Sequence, residues 1–276
     1  MSVVEASAPA QRRRPKYLAI ASTALQQAIA YRVTTLFTVL ITFVWVFILY
    51  YLWQAAFSKS DRIAGYSWDE MRTYILLAYG INALVGWRVG SQMMSSIKTG
   101  SIVLDLVRPL NYANTQVAFA AGVSVIEGVI SFGLTILLGL LVFDMQPPAS
   151  PLAAALFIVA LAAGFLIKAL AIFLISLLCF WTLNSVGLMW AQQSVISILS
   201  GTLIPLAMMP GWLRAISEVL PLRGIVATPV EIYLGKATGG ELVGLLALQL
   251  GWLTAMWWFA NWAWRKAFDA VEIQGG

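Results

Sequence analysis

Histidine is missing from all 276 residues, and cysteine occurs once, as Cys179. The first absence removes the commonest general base and the commonest metal ligand. The second excludes an intramolecular disulfide, and Cys179 lies in an apolar stretch where a small buried thiol is ordinary packing. Charge is scarce as well: 11% of the residues are Asp, Glu, Lys or Arg, against roughly 25% in a soluble domain. There is no Gly-x-x-x-x-Gly-Lys-Ser/Thr loop. The stretch from Gly90 to Gly100 holds glycines and Lys98 at the wrong spacing, so the chain is not expected to hydrolyse nucleotide itself. No Cys/His metal cluster is possible, and no carboxylate pair stands at helical spacing deep within an apolar run. An enzyme acting alone is therefore disfavoured, and neither a metal nor a cofactor is expected in this chain. Tandem repeats and low-complexity tracts are also lacking.

What the chain has in abundance is apolar surface, 61% of its residues, with a mean hydropathy of +0.84. A soluble fold of this length must cover itself with polar side chains, so a bilayer has to supply the apolar surroundings. Runs at 34–53, 70–94, 112–143, 151–181, 186–208 and 241–264 are each long enough to cross about 30 Å of hydrocarbon at about 1.5 Å per residue. An unpaired backbone cannot face lipid, so each run is expected as a helix. The fold class is all-α, a polytopic integral membrane protein with about six transmembrane helices. Residues 1–33 form a cytoplasmic, basic N-terminal region, and 34–276 form one six-span domain.

The net charge of +5 points to lipid rather than nucleic acid, because Arg12, Arg13, Arg14 and Lys16 form one short run suited to anionic headgroups. A cleaved signal does not fit. The first long apolar run begins only near Thr34 and has the roughly 20-residue length of a span. After the arginines, Tyr17 to Arg32 is amphipathic: Leu18, Ala21, Leu25, Ala28 and Ile29 recur at helical spacing, with Ser22, Thr23, Gln26 and Gln27 opposite. An interfacial helix lying on the membrane is expected there.

Lys and Arg beside the short connections set the orientation. With the N-terminus cytoplasmic, nine cations (Arg12, Arg13, Arg14, Lys16, Arg32, Lys98, Arg108, Arg265 and Lys266) face the cytoplasm and six (Lys59, Arg62, Arg72, Arg214, Arg223 and Lys236) face outward. Both termini are thus read as cytoplasmic. The connection from Ser95 to Asn111 mixes Ile97, Ile102, Leu104 and Leu106 with Lys98, Asp105 and Arg108, and reads as a short amphipathic helix. The external connection, Pro210 to Gly240, carries Trp212, Leu213, Ile216 and Leu220 before Pro221; Pro and Gly interrupt it repeatedly, so short helices dipping partway into the bilayer are expected. Trp53, Trp68, Trp181, Trp212, Trp262 and Trp264 stand at predicted borders and read as an interfacial belt.

Three charges fall inside apolar runs, where an ionisable residue is by default worth a functional hypothesis. Glu127 and Lys168 lie at similar depth in the third and fourth runs and can pair with each other. A structural ion pair with no contact to substrate is the plainer reading, since buried charges need partners for solvation alone. Arg88 is close enough to the end of its run to snorkel.

The order of these parts, with Tyr31-Arg32, Gly65-Tyr66-Ser67, Ile97-Lys98-Thr99-Gly100-Ser101-Ile102, Leu106-Val107-Arg108-Pro109-Leu110, Ser200-Gly201-Thr202-Leu203-Ile204-Pro205-Leu206, Met209-Pro210-Gly211-Trp212-Leu213 and Leu220-Pro221, resembles the permease subunit of a type-2 ATP-binding cassette exporter. The likeness covers most of the chain and is closest to a bacterial subgroup in which paired permeases work with a separate ATPase. It implies a bacterial inner-membrane location, a dimer with a second, homologous or identical permease, and a cytosolic ATPase partner that holds ATP and Mg. It also implies a coupling loop after the second span, with Lys98, Gly100, Asp105, Arg108 and Pro109 at or near the ATPase contact. An amphiphilic small-molecule or lipid-like cargo is expected, as no strongly charged cavity is evident. The competing expectation is an ATP-independent secondary transporter that uses Glu127 and Lys168 as ion sites, for which repeated halves would be required.

Overall fold

A computed structural model of the chain describes residues 16–30, 32–102, 111–182 and 184–274, and they are helical almost throughout. In chain order the helices are α1 (Lys16–Ala30), α2 (Arg32–Phe57), α3 (Trp68–Ala83), α4 (Trp87–Lys98), α5 (Tyr112–Leu141), α6 (Pro151–Ser176), α7 (Ser185–Leu199), α8 (Gly211–Val219), α9 (Ala227–Tyr233) and α10 (Gly239–Gln274). A two-stranded hairpin, β1 (Arg62–Ile63) with β2 (Tyr66–Ser67), joins α2 to α3. The chain is an all-α membrane protein.

Local chemistry sets the helix starts. Ser67 and Glu70 form a reciprocal capping box at α3: the Glu70 amide donates to Ser67 Oγ at 3.3 Å, and the Ser67 amide donates to a Glu70 carboxylate oxygen at 2.8 Å. Asn111 caps α5, Ser150 caps α6 with Pro151 in its first turn, and Asn184 caps α7.

Among the described residues, four helices are long and apolar enough to cross a membrane: Leu36–Phe57, Tyr112–Leu141, Pro151–Phe180, which closes in a 3-10 turn, and Gly239–Ala267. The other two expected spans differ from a plain helix. The run at 70–94 is α3 and α4, interrupted at Leu84, Val85 and Gly86. The run at 186–208 is α-helical only to Leu199, because Gly201 takes a left-handed φ of +84° and Pro205 follows, and it resumes only as a 3-10 turn at Leu206–Met208. At about 1.5 Å per residue the 15 residues of α7 reach about 22 Å, and the chain then folds back through α8 and α9.

The core forms around α3, where Tyr74, Ile75, Leu76, Leu77 and Ala78 are buried against α2, α5 and α9. By contrast, only 17% of the most apolar stretch of α2 is covered by the chain itself, so most of that helix requires lipid or another subunit. The N-terminal helix α1 packs on α5 through Ile20 and Ala24, against Phe119 and Val123. Leu18 and Ile29, expected on its apolar face, stay exposed.

The folded-back segment is tied into the bundle at its backbone. Tyr74 Oη donates to Gly201 O at 2.7 Å, and Gln249 Nε2 donates to both Ala160 O and Gly224 O at 2.8 Å. A Cβ on Gly164 would come within 2.6 Å of Gly224 O, so only glycine lets α6 approach the returning chain so closely. This end of the bundle, with the hairpin and α8–α9, is called the far end below; α1 and the turn at residues 99–102 mark the near end.

Candidate functional site

The interruption of the second expected span opens two helix ends inside the bundle. α3 stops at Ala83, with the Leu84 amide still donating to Ile81 O at 3.1 Å, and Gly86 takes an extended conformation before α4 starts at Trp87. Such a break leaves carbonyls of the last turn of α3 and amides of the first turn of α4 without partners in the helix. In hydrocarbon each unmet group costs several kcal/mol.

Lys168 and Glu127 are placed at these two ends. Lys168, on α6, is 2% exposed, and its ammonium donates to the backbone carbonyl of Asn82, in the last turn of α3, and to Asn82 Oδ1 at 2.7 Å. Glu127, midway along α5, is 2% exposed and faces the start of α4: a Cβ on Gly86 would be 3.7 Å from its carboxylate. Arg88, in the first turn of α4, holds that carboxylate at 2.6 Å. A cation therefore stands at the negative end of one half-helix and an anion at the positive end of the other, the arrangement the helix dipoles favour. α5 can reach the break because residue 128 is glycine. A Cβ there would lie 2.5 Å from Leu84 O.

The expected pairing of Glu127 with Lys168 is thus replaced by two contacts, Glu127 with Arg88 and Lys168 with Asn82. The reason is the break itself, which brings a bare carbonyl and a guanidinium closer to these charges than they are to each other. Arg88, expected to snorkel, has turned inward.

Beside the break lies a cavity of about 460 Å³, walled by α2, α6 and α7 together with both half-helices. Phe37, Ile41, Trp45, Tyr79, Trp87 and Trp190 line it, with Thr38, Thr42, Asn82, Gln193 and Lys168 as polar members. Trp87 and Trp190 meet edge to face at 5.4 Å between ring centres. The rim is open: Trp45, Trp87 and Trp190 are 47%, 44% and 64% exposed. Sequence reasoning missed this cavity, since its walls come from four distant segments. The usable signal was Trp45, Trp87 and Trp190 standing inside apolar runs rather than at their borders.

From the cavity, α4 leads to the near end. Lys98 is its last residue, and Gly100, at φ +71°, ends the helix in a left-handed turn. Asp105, Arg108 and Pro109 lie outside the described residues.

A second, polar cleft of about 840 Å³ opens at the far end. There Arg223 binds Glu231 at 2.7 Å, and Lys236 binds Glu70 at 3.0 Å while lying 4.1 Å from the centre of the Tyr66 ring. Burial pushes the Tyr66 hydroxyl well up, with Glu231 and Glu70 adding to it. Burial also raises Glu231, against the opposing pull of Arg223.

Apolar spans, a run interrupted between α3 and α4 whose open ends are met by buried charges, and an open cavity at that interruption define a helical membrane protein with a small-molecule-sized cavity. The chain belongs to the ABC-2 family transporter proteins, whose family model matches residues 27–275. No curated protein matches it. Membership makes it a type-2 ATP-binding cassette permease and implies association with an ATP-binding cassette ATPase.

Proposed function

We infer that this chain is the permease subunit of an ATP-driven exporter of amphiphilic small molecules or lipid-like cargo, working as a dimer with a second, homologous or identical permease in the bacterial inner membrane. Both termini and the near end face the cytoplasm, and the far-end cleft faces outward. A separate ATPase, which holds ATP and Mg, docks on the loop from residue 95 to 111, with Lys98, Gly100, Asp105, Arg108 and Pro109 at or near the contact.

The observation that carries this reading is the continuity of α4, which starts at the break beside the cavity and ends at the turn into that loop. A short rigid helix between a partner groove and a hinge is suited to transmit motion, and α3 is anchored at the far end through Tyr74 and the capping box. The exposed rim of tryptophans supports a second copy covering the cavity. Glu127 and Lys168, both engaged at helix ends, lend less support to an ion-driven carrier.

The test is co-purification with an ATP-binding cassette ATPase encoded beside this chain, comparing wild type with a variant carrying Asp105→Lys and Arg108→Glu. Association and stimulated ATP hydrolysis that the variant weakens are the expected result. An ATPase that does not bind the folded wild-type chain overturns the reading.

A further inference from the structure

We propose that the cavity at the interrupted helix takes a lipophilic anion, a molecule with one carboxylate or sulfonate group on an apolar, preferably aromatic, body. This rests on the permease reading above and names the cargo class of the same site.

The charge inventory of the cavity carries the inference. Among the described residues that line it, Lys168 is the one ionisable acid or base besides the phenol of Tyr79, and none is a carboxylate. Both acceptors of the Lys168 ammonium belong to Asn82, a backbone carbonyl and an amide oxygen, and both are uncharged. The C-terminus of α3 offers roughly half an elementary charge in compensation. Glu127, the buried carboxylate at the other side of the break, is engaged by Arg88 and is not among the described lining residues. The amine of Lys168 therefore faces the cavity with neutral acceptors alone, and an anion entering there would be the counter-ion that holds it as an ammonium in surroundings of low dielectric. A buried charge without a counter-ion is costly, and an incoming anion supplies one. A cationic amphiphile of the same shape meets repulsion that water does not screen, so the site discriminates by charge sign.

The walls decide the rest of the molecule. Trp45, Trp87 and Trp190 offer broad aromatic faces, while the neutral polar groups Thr42 and Gln193 add hydrogen-bonding positions. About 460 Å³ is within the roughly 300–1,000 Å³ of small-molecule sites and accommodates a fused-ring body.

The test uses three probes of one shape: 2-naphthoate, the neutral 2-naphthylmethanol and the cationic 2-naphthylmethylammonium. Each is measured by equilibrium dialysis against the purified full-length chain in neutral maltoside micelles, with empty micelles subtracted. Wild type is expected to bind 2-naphthoate at least about tenfold more tightly than the other two, a difference of about 1.4 kcal/mol. Lys168→Met is expected to remove that preference while leaving the alcohol unchanged. Because Lys168 also meets the end of α3, Gln193→Glu provides a second variant, which places a carboxylate at the cavity wall and leaves Lys168 in place; it is expected to erase the preference too. Equal binding of the three probes by wild type, no binding of any, or a preference that survives in folded Gln193→Glu overturns the proposal. None of these readouts involves an ATPase. A preserved preference without ATPase association would retain the anion site and reject the ATP-driven reading, and the reverse combination would do the opposite.

Discussion

Charged side chains gather at two places in this permease, and they are arranged differently. Beside the break, Glu127 and Lys168 come from adjacent helices yet do not join each other; each meets an end of an interrupted helix. At the far end, Arg223 with Glu231 and Lys236 with Glu70 pair directly around a polar cleft. Solvent accounts for the difference. An open helix end inside an apolar bundle has no water to turn to, so a side-chain charge is held there by backbone dipoles as much as by another charge. Around the cleft the start of α3 is met by its own capping box, and the oppositely charged side chains pair with one another. A charge inside a span thus first answers a backbone need, and its use for transport has to be argued from what it leaves uncompensated.

The largest expected effect tests the inner half of this comparison. Glu127→Ala removes the buried carboxylate that binds the Arg88 guanidinium at the start of α4, and should cost about 3–5 kcal/mol, read as a fall in the thermal midpoint of the purified chain. Replacing both partners, Glu127→Leu with Arg88→Met, should recover much of the loss; additive losses would reject the pairing. A smaller effect follows from the close approach of α5. Gly128→Ala drives a methyl group onto Leu84 O and should destabilise by about 1–3 kcal/mol, whereas Gly133→Ala, with nothing within 4 Å of its added Cβ, should be neutral or stabilise by up to about 1 kcal/mol. Equal effects at the two glycines would mean that the break is not packed as described. The smallest effect belongs to the far end. Burial raises Glu231 above the ordinary carboxylate range against the pull of Arg223, so the folded state binds its proton more tightly than the unfolded chain does. That contribution to stability is fully present below the unfolded pKa and is lost as pH rises through the folded one. Glu231→Gln should flatten this slope, by on the order of a few degrees in Tm across the window; an unchanged slope would assign the pH dependence elsewhere.

Much of this architecture was legible in the residues. The apolar runs at 112–143 and 151–181 are helical as α5 and α6, because length and hydropathy alone require a helix in lipid. Pro205, Pro210 and Pro221 announced a broken segment, and the chain does fold back there. The interruption at Leu84–Gly86 was not legible. Hydropathy sums over a window and does not register three residues that leave the helix, and no proline marks them; Asn82 and Gly86 are the only local hints. The partners of Glu127 and Lys168 were lost with it, since depth along a span says nothing about which way a side chain turns around the helix axis.

The sequence by itself determined that this chain lives in a membrane as a helical bundle and, through its ordered motifs, to which family it belongs; those properties follow from local composition and spacing. Only the tertiary structure decided that the run at 70–94 is divided into two helices, that Lys168 and Glu127 meet opposite helix ends, and that Trp45, Trp87 and Trp190 wall one cavity. These depend on residues far apart in the chain arriving at one place, and the apolar surroundings make their mutual satisfaction compulsory.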